Sequence, residues 1–326
     1  MTTADLQTRA LTLEDAPAMT DIYAAVEVAE PEDDHFSVDD IREELQRPNV
    51  DLARGSVAIV DGDRLLGFGV FEPRFEGDHW QGYLDGAVHP EFRRQGIGRR
   101  VMAELLIKAR RWRDEIDQHR SVDVKLWIGQ ARVAGTAFAA ERGFEPTRWF
   151  FRMKHPLGDP VTATAPAAGY RIRPYEAADS EATRLASNDS FADHWGSVPM
   201  DERTWHGLIT GTRSFRPDLS LVAVDGQDHV VGFALQAEYA AETAERGYAT
   251  GWVDRLGVVR QARGNGIATA LLTGALATVQ GQGFRAAELS VDADSPTGAN
   301  RIYERVGFEA VSRTTTFVRV LPPASR

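Results

Sequence analysis

Val258-Val259-Arg260-Gln261-Ala262-Arg263-Gly264-Asn265-Gly266-Ile267-Ala268 runs from an apolar strand end through a polar bend and an Arg-x-x-Gly-x-Ala turn into an Ala/Leu-rich helix. The first half of the chain carries the same phrase as Val88-His89-Pro90-Glu91-Phe92-Arg93-Arg94-Gln95-Gly96-Ile97-Gly98. Glycine permits the tight backbone. The helix start adds unpaired N–H groups and a partial positive charge, so each turn is a nest for a phosphate or pyrophosphate. Arg93, Arg94 and Arg263 are expected to add side-chain charge. Neither copy has the Gly-Lys-Ser/Thr of a Walker turn. Neither follows a first strand with Gly-x-Gly-x-x-Gly, as a dinucleotide fingerprint requires.

The two turns lie 170 residues apart at Gly96 and Gly266, and a second phrase repeats at nearly the same offset: Glu141-Arg142-Gly143-Phe144 against Arg305-Val306-Gly307-Phe308. Two landmarks at near-constant spacing indicate a tandem duplication. The expected division is 1–155 for the first domain, a Pro/Ala/Thr-rich linker over 156–169, and 170–326 for the second.

Each half shows the same rhythm. In the second, a strand begins at Tyr170–Arg173, helices follow over Ala177–Ser190 and Asp201–Thr210, and Leu219–Val224 with Val230–Ala237 form a hairpin. A strand over Ala249–Val258 leads to the helix Asn265–Gln280. Then come a strand at Ala287–Val291, a helix at Pro296–Arg305 and a closing strand at Thr314–Leu321. The first half repeats this with a hairpin from Val57–Val60 and Leu65–Phe71, a strand Tyr83–Val88, a helix Ile97–Trp112, a strand Val122–Ile128, a helix Ala131–Glu141 and a strand Arg148–Lys154. Strands and helices interleave, so the fold class is α/β (α+β mixed sheet), with a mostly antiparallel sheet flanked by helices in each half.

The chain has 326 residues, no cysteine and a net charge of −11. Thiolate nucleophiles, disulfides and Cys-ligated zinc are excluded, and no metal is expected. The acidic balance argues against nucleic acid as partner. No apolar run reaches membrane-spanning length, and MTTADLQTRA lacks the apolar core of a secretory signal, so a cytoplasmic protein is expected.

The order hairpin, strand, Arg-x-x-Gly-x-Gly/Ala, helix, strand, helix, Gly-Phe resembles the GNAT N-acetyltransferase superfamily, twice over essentially the whole chain. The second half carries the fuller signature, RGNGIA followed by VDADSPTGANRIYERVGF. Among two-domain members the layout is similar to that of mycothiol synthase and its actinobacterial relatives, a likeness of architecture. The resemblance implies acetyl-CoA as cofactor. Its pantetheine arm would lie on the strand at Leu256 and Val258, its pyrophosphate on Arg263, Gly264, Asn265, Gly266, Ile267 and Ala268, with Asn300 positioning it. The first-half counterparts are Val88, Arg93, Arg94, Gln95, Gly96, Ile97 and Gly98.

The resemblance also implies a tyrosine that protonates the departing CoA thiolate, and Tyr303 stands in its place four residues before Gly307. A phenol stays protonated at neutral pH and can donate. The first half departs here: Ala139 and Thr136 replace Tyr303 and Asn300, so that half is expected to be catalytically silent. Asp254 is the candidate base, sharing a strand face with Leu256 and Val258 if the strand alternates regularly. Glu238 and Tyr239 are its rivals, and a water chain is a further alternative. Phe191, His194 and Trp195, with Glu238, are candidate acceptor-binding residues, and Asp189 or Asp193 could attract an amine. The expected reaction is acetyl transfer to a primary amine of a small molecule, by a monomer or homodimer. The alternatives are a protein lysine or N-terminal acetyltransferase and a non-enzymatic acyl-CoA-binding module.

Overall fold

The computed structural model describes residues 6–75, 80–295 and 298–324. The first half runs β1 (Gln7–Arg9), α1 (Ala16–Ala29), α2 (Val38–Leu45), α3 (Leu52–Gly55), β2 (Ser56–Asp61), β3 (Arg64–Arg74), β4 (Trp80–Val88), α4 (Ile97–Asp117), β5 (Val122–Gly129), α5 (Val133–Ala140) and β6 (Glu145–Pro156). The second runs β7 (Arg171–Pro174), α6 (Ser180–Phe191), α7 (Glu202–Trp205), β8 (Leu221–Val224), β9 (Val230–Ala237), α8 (Ala240–Arg246), β10 (Thr250–Val258), α9 (Ile267–Gly281), β11 (Ala286–Asp292), α10 (Ala299–Val306) and β12 (Glu309–Leu321). Pro296 of the expected helix Pro296–Arg305 lies outside the described residues; from Ala299 onward that helix is α10.

Two compact units result, but not at the expected boundaries. One comprises residues 1–148 with 314–326, and the other residues 149–313. The strand expected to close the first half belongs to the second unit, where residues 150–156 pair antiparallel with β11. The strand expected to close the second half belongs to the first unit, where Thr314–Leu321 pairs with β5 in register Thr314↔Gly129 to Leu321↔Val122. Side-chain burial explains the exchange. Phe317 and Leu321 join the first unit's core with Val122 and Val124, while Met153 joins the second unit's core with Leu289 and Phe308.

Within each unit the sheet order follows from pairing: β1-β2-β3-β4-β5-β12 in the first and β6-β11-β10-β9-β8-β7 in the second. Helices cover both faces. In the second unit one face packs Trp205, Phe233 and Leu235 beside α6 and α7, and the other packs Leu271, Leu272, Ala275 and Leu276 of α9. Small residues set the closeness of α9: a Cβ at Gly251 would stand 2.8 Å from Val279, and one at Gly232 3.1 Å from Leu271. The expected linker lies along this helix. Gln280 Nε2 donates to the Leu157 and Asp159 carbonyls (3.1 and 2.7 Å), Thr164 N to Thr273 Oγ1 (3.0 Å), and Ala167 N to the Asn265 carbonyl (2.9 Å).

Candidate active site

β10 and β11 run parallel but pair only from Thr250↔Ala286 to Trp252↔Glu288. Beyond that point they splay, and β10 continues to Val258 with its other edge held by β9. The backbone groups on its free edge face the opening of the wedge, and an extended ligand arm can pair with them.

The wedge leads to the glycine turn. Arg260–Ala262 form a short 3-10 turn. Gly264 (φ +81°) and Gly266 (φ +71°) then take left-handed conformations, Gly266 as the N-cap of α9. Nothing lies within 4 Å of a Cβ built at either glycine, so the space beside this stretch of backbone is open. The first α9 amides lack intrahelical acceptors, which completes a nest suited to an anion. Arg263 braces this turn instead of pointing its charge into it: Nε donates to the Val258 carbonyl (3.2 Å) and Nη2 to the Ser190 carbonyl (3.0 Å). Asn265 Nδ2 donates to the Ala262 carbonyl (3.1 Å). Leu256 and Val258 pack into the apolar layer with Ile267 and Leu271, so their backbone, not their side chains, faces the wedge.

Asp254 occupies a β-bulge. Val253 pairs with Gln236 and Arg255 with Leu235, which leaves Asp254 as the extra residue. The bulge breaks the regular alternation on which a shared face with Leu256 and Val258 depended. Asp254 is open to solvent, yet protein packed around it disfavours its charged form and raises its pKa, with Arg255 opposing that shift.

Tyr303 points from α10 into the core beside Phe308, 8% exposed. Burial pushes its pKa up to about 12. Its hydroxyl has no hydrogen-bond partner among the described residues. Asn300, one turn earlier, donates Nδ2 to the carbonyls of Asp292 (3.2 Å) and Ala293 (2.9 Å), and its buried Oδ1 has no partner among the described residues.

At the wedge mouth, the end of α6 meets β10. Phe191 lies under the Arg255 guanidinium (4.5 Å to its centroid) and against the His194 ring (4.7 Å). Burial lowers the His194 pKa; Asp292 opposes this, while Arg263 and Arg255 add to it. Trp195 follows, half-buried. Three acidic expectations are redirected. Glu238 is ion-paired to Arg216, Asp193 to the Arg260 guanidinium, and Asp189 accepts from the Arg260 amide (3.0 Å).

Sequence reasoning missed a buried ion network beneath the wedge. Glu288, 1% exposed, accepts from Arg152 Nε (2.6 Å) and pairs with Lys154 (3.1 Å) and Arg246 (3.5 Å). Glu242 joins Arg246 (2.9 Å) and accepts from Trp252 Nε1 (3.1 Å), and Arg152 stacks on Trp252 at 4.8 Å. The available signal was charge inside apolar strands: Glu288 in AAELSVD and Lys154 two residues from Arg152.

The acetyltransferase (GNAT) family model matches residues 17–144 and 181–308. The chain belongs to the GNAT acetyltransferase family. It is similar to the mycothiol acetyltransferase of Thermobispora bispora, 30% identical over 77% of this chain and 78% of the relative. It is also similar to that of Kytococcus sedentarius, 27% identical over 96% of both chains. Among solved structures, a GCN5-related N-acetyltransferase from Sphaerobacter thermophilus superposes with TM-score 0.77 at 27% identity, covering 100% of this chain and 98% of that one. A tandem GNAT protein from the clavulanic acid biosynthesis pathway shares the fold at TM-score 0.72 and 18% identity, covering 98% of this chain and all of that one. The chain is thus an N-acetyltransferase built from two tandem GNAT domains. No described helix is long and apolar enough to cross a membrane.

Proposed function

We propose that the second unit transfers an acetyl group from acetyl-CoA to a primary amine of a small molecule, with Tyr303 as proton donor to the departing thiolate. The observation that carries this is Tyr303, a buried side chain of α10 whose surroundings hold its phenol protonated and whose hydroxyl meets no hydrogen-bond partner among the described residues. The residues present fit the cofactor: an open β10 edge, two left-handed glycines under open space, and the orphaned Oδ1 of Asn300. The bound thioester supplies an activated acetyl group and a thiol leaving group. The free edge of β10 holds the arm, the Gly264–Ala268 backbone holds the phosphates, and Asn300 fixes the start of α10. The Tyr303 O–H is the proton source at the leaving sulfur. Asp254, exposed at the bulge with a raised pKa, takes the proton from the attacking amine, directly or through water. Phe191, His194 and Trp195 line the acceptor side.

The names of the curated relatives point to an acceptor related to mycothiol. The test is thiol release from acetyl-CoA with purified protein and a panel of small amines that includes desacetyl-mycothiol. Amine-dependent release, abolished by Gly266→Glu, supports the reading; no release with any amine contradicts it.

A further inference from the structure

The first unit carries the same wedge as the second. β4 and β5 pair from Trp80↔Val122 to Tyr83↔Lys125 and then separate, and Gly96 (φ +84°) caps α4. Arg94 takes φ +64° where the second unit has Gly264. The two mouths differ in what crosses them.

In the first unit the segment after α1, Glu30-Pro31-Glu32-Asp33-Asp34, spans from one lip to the other. On the β4 side, Arg93 donates Nε to the Val88 carbonyl (3.4 Å) and Nη2 to Glu30 (2.9 Å). On the β5 side, the Glu32 carboxylate accepts from the Ala131 amide and fills the space a Cβ on Gly129 would need. Asp34 pairs with Arg132 at 3.2 Å. Glu27 holds the segment by accepting from the amides of Glu32 (2.9 Å) and Asp33 (2.6 Å). In the second unit, Arg263 instead meets the main-chain carbonyl of Ser190. The residue at that mouth is His194, whose burial favours the neutral ring, and Asp189 and Asp193 are turned to Arg260.

We propose that the acidic strap Glu30–Asp34 supplies the first cradle with its own anions and so closes it to acyl-CoA, leaving one cofactor site per chain, in the second unit. This rests on acyl-CoA being the ligand of the second cradle. Carboxylates held at both lips repel a ligand with several phosphate charges, and the same charges neutralise Arg93 and Arg132 at those lips. The first unit then serves as scaffold although it retains its glycine turn.

The test is calorimetric titration of acetyl-CoA into the full chain. The wild type should bind at one site, lost in Gly266→Glu. Glu30→Gln/Glu32→Gln should gain a second, salt-sensitive site that disappears when Gly96→Glu is added. Two sites in the wild type, or one site in the double variant, would overturn the proposal. No binding in the wild type would instead remove acyl-CoA as the ligand. Should the double variant fail to fold, Glu30→Gln alone frees Arg93 without touching Gly129, and it must show the same second site.

Discussion

The position of Tyr303 on a helix ending at Gly307 was legible from the sequence because its distance from Gly307 and its place after RGNGIA are local properties of the chain. Its chemical state was not, since the packing of Phe308 and the rest of that core around it depends on residues far away in sequence. Asp254 shows the opposite limit. A period-2 reading of Gly251–Val258 puts it on one face with Leu256 and Val258, and a single extra residue at the bulge undoes that reading. Its raised pKa has a measurable consequence. The protein packed around the exposed Asp254 disfavours its carboxylate form, so a base at Asp254 loses activity as pH falls through a value above the ordinary aspartate range. Asp254→Asn should lower kcat and flatten the acid limb of the pH–rate profile. A variant that keeps the wild-type limb would assign the base elsewhere. The sequence does not show that Glu238 and Asp193 are each ion-paired, because the arginines beside them, Arg216 and Arg260, are brought there by the fold.

A third element of the duplication went unread. Arg173 and Asp179 form a bidentate pair (2.7 Å for both bonds), with Asp179 also accepting from the Glu176 amide (2.8 Å), and Arg9, Asp15 and Thr12 repeat it at the same spacing. Each pair ties an edge strand to the turn that starts α6 or α1. The Arg173 hydrogen bonds hold the Asp179 carboxyl below its usual range. A lowered folded-state pKa means that this contribution is complete above about pH 4 and is lost as pH falls through the folded value. Asp179→Asn should cost about 1–3 kcal/mol at pH 7, with the difference from wild type shrinking at acid pH in denaturant titrations. An equal difference at pH 3 and pH 7 would show that the charge is not what matters. Glu288 tests the wedge base. Glu288→Gln leaves Arg152, Lys154 and Arg246 short of their shared carboxylate, and should destabilise by about 3–5 kcal/mol. A change below about 1 kcal/mol, the range of an exposed pair, would mean that the network is effectively solvated.

At the scale of the molecule, the repeat was legible and its wiring was not. Two duplicated halves end in similar strands, so nothing in the local pattern of Arg148–Lys154 or Thr314–Leu321 says which sheet each completes. That choice is made by Phe317 and Leu321 fitting beside Val122 and Val124, and by Met153 fitting beside Leu289. Removing residues 314–326 should therefore strip hydrogen-exchange protection from Val122–Gly129 in the first unit. Loss of protection centred on β11 would contradict the observed pairing. The duplication also explains how one cradle can keep its glycines without a proton donor, because Gly96 serves the backbone turn whether or not a ligand binds. The central claim concerns the second cradle and its phenol. Tyr303→Phe deletes one oxygen atom from a site whose cofactor contacts lie on other elements. With the amine that supports turnover, the variant should lose roughly 10²–10⁴-fold in kcat while its acetyl-CoA affinity stays within about twofold; a kcat within twofold of wild type would contradict Tyr303 as the proton donor.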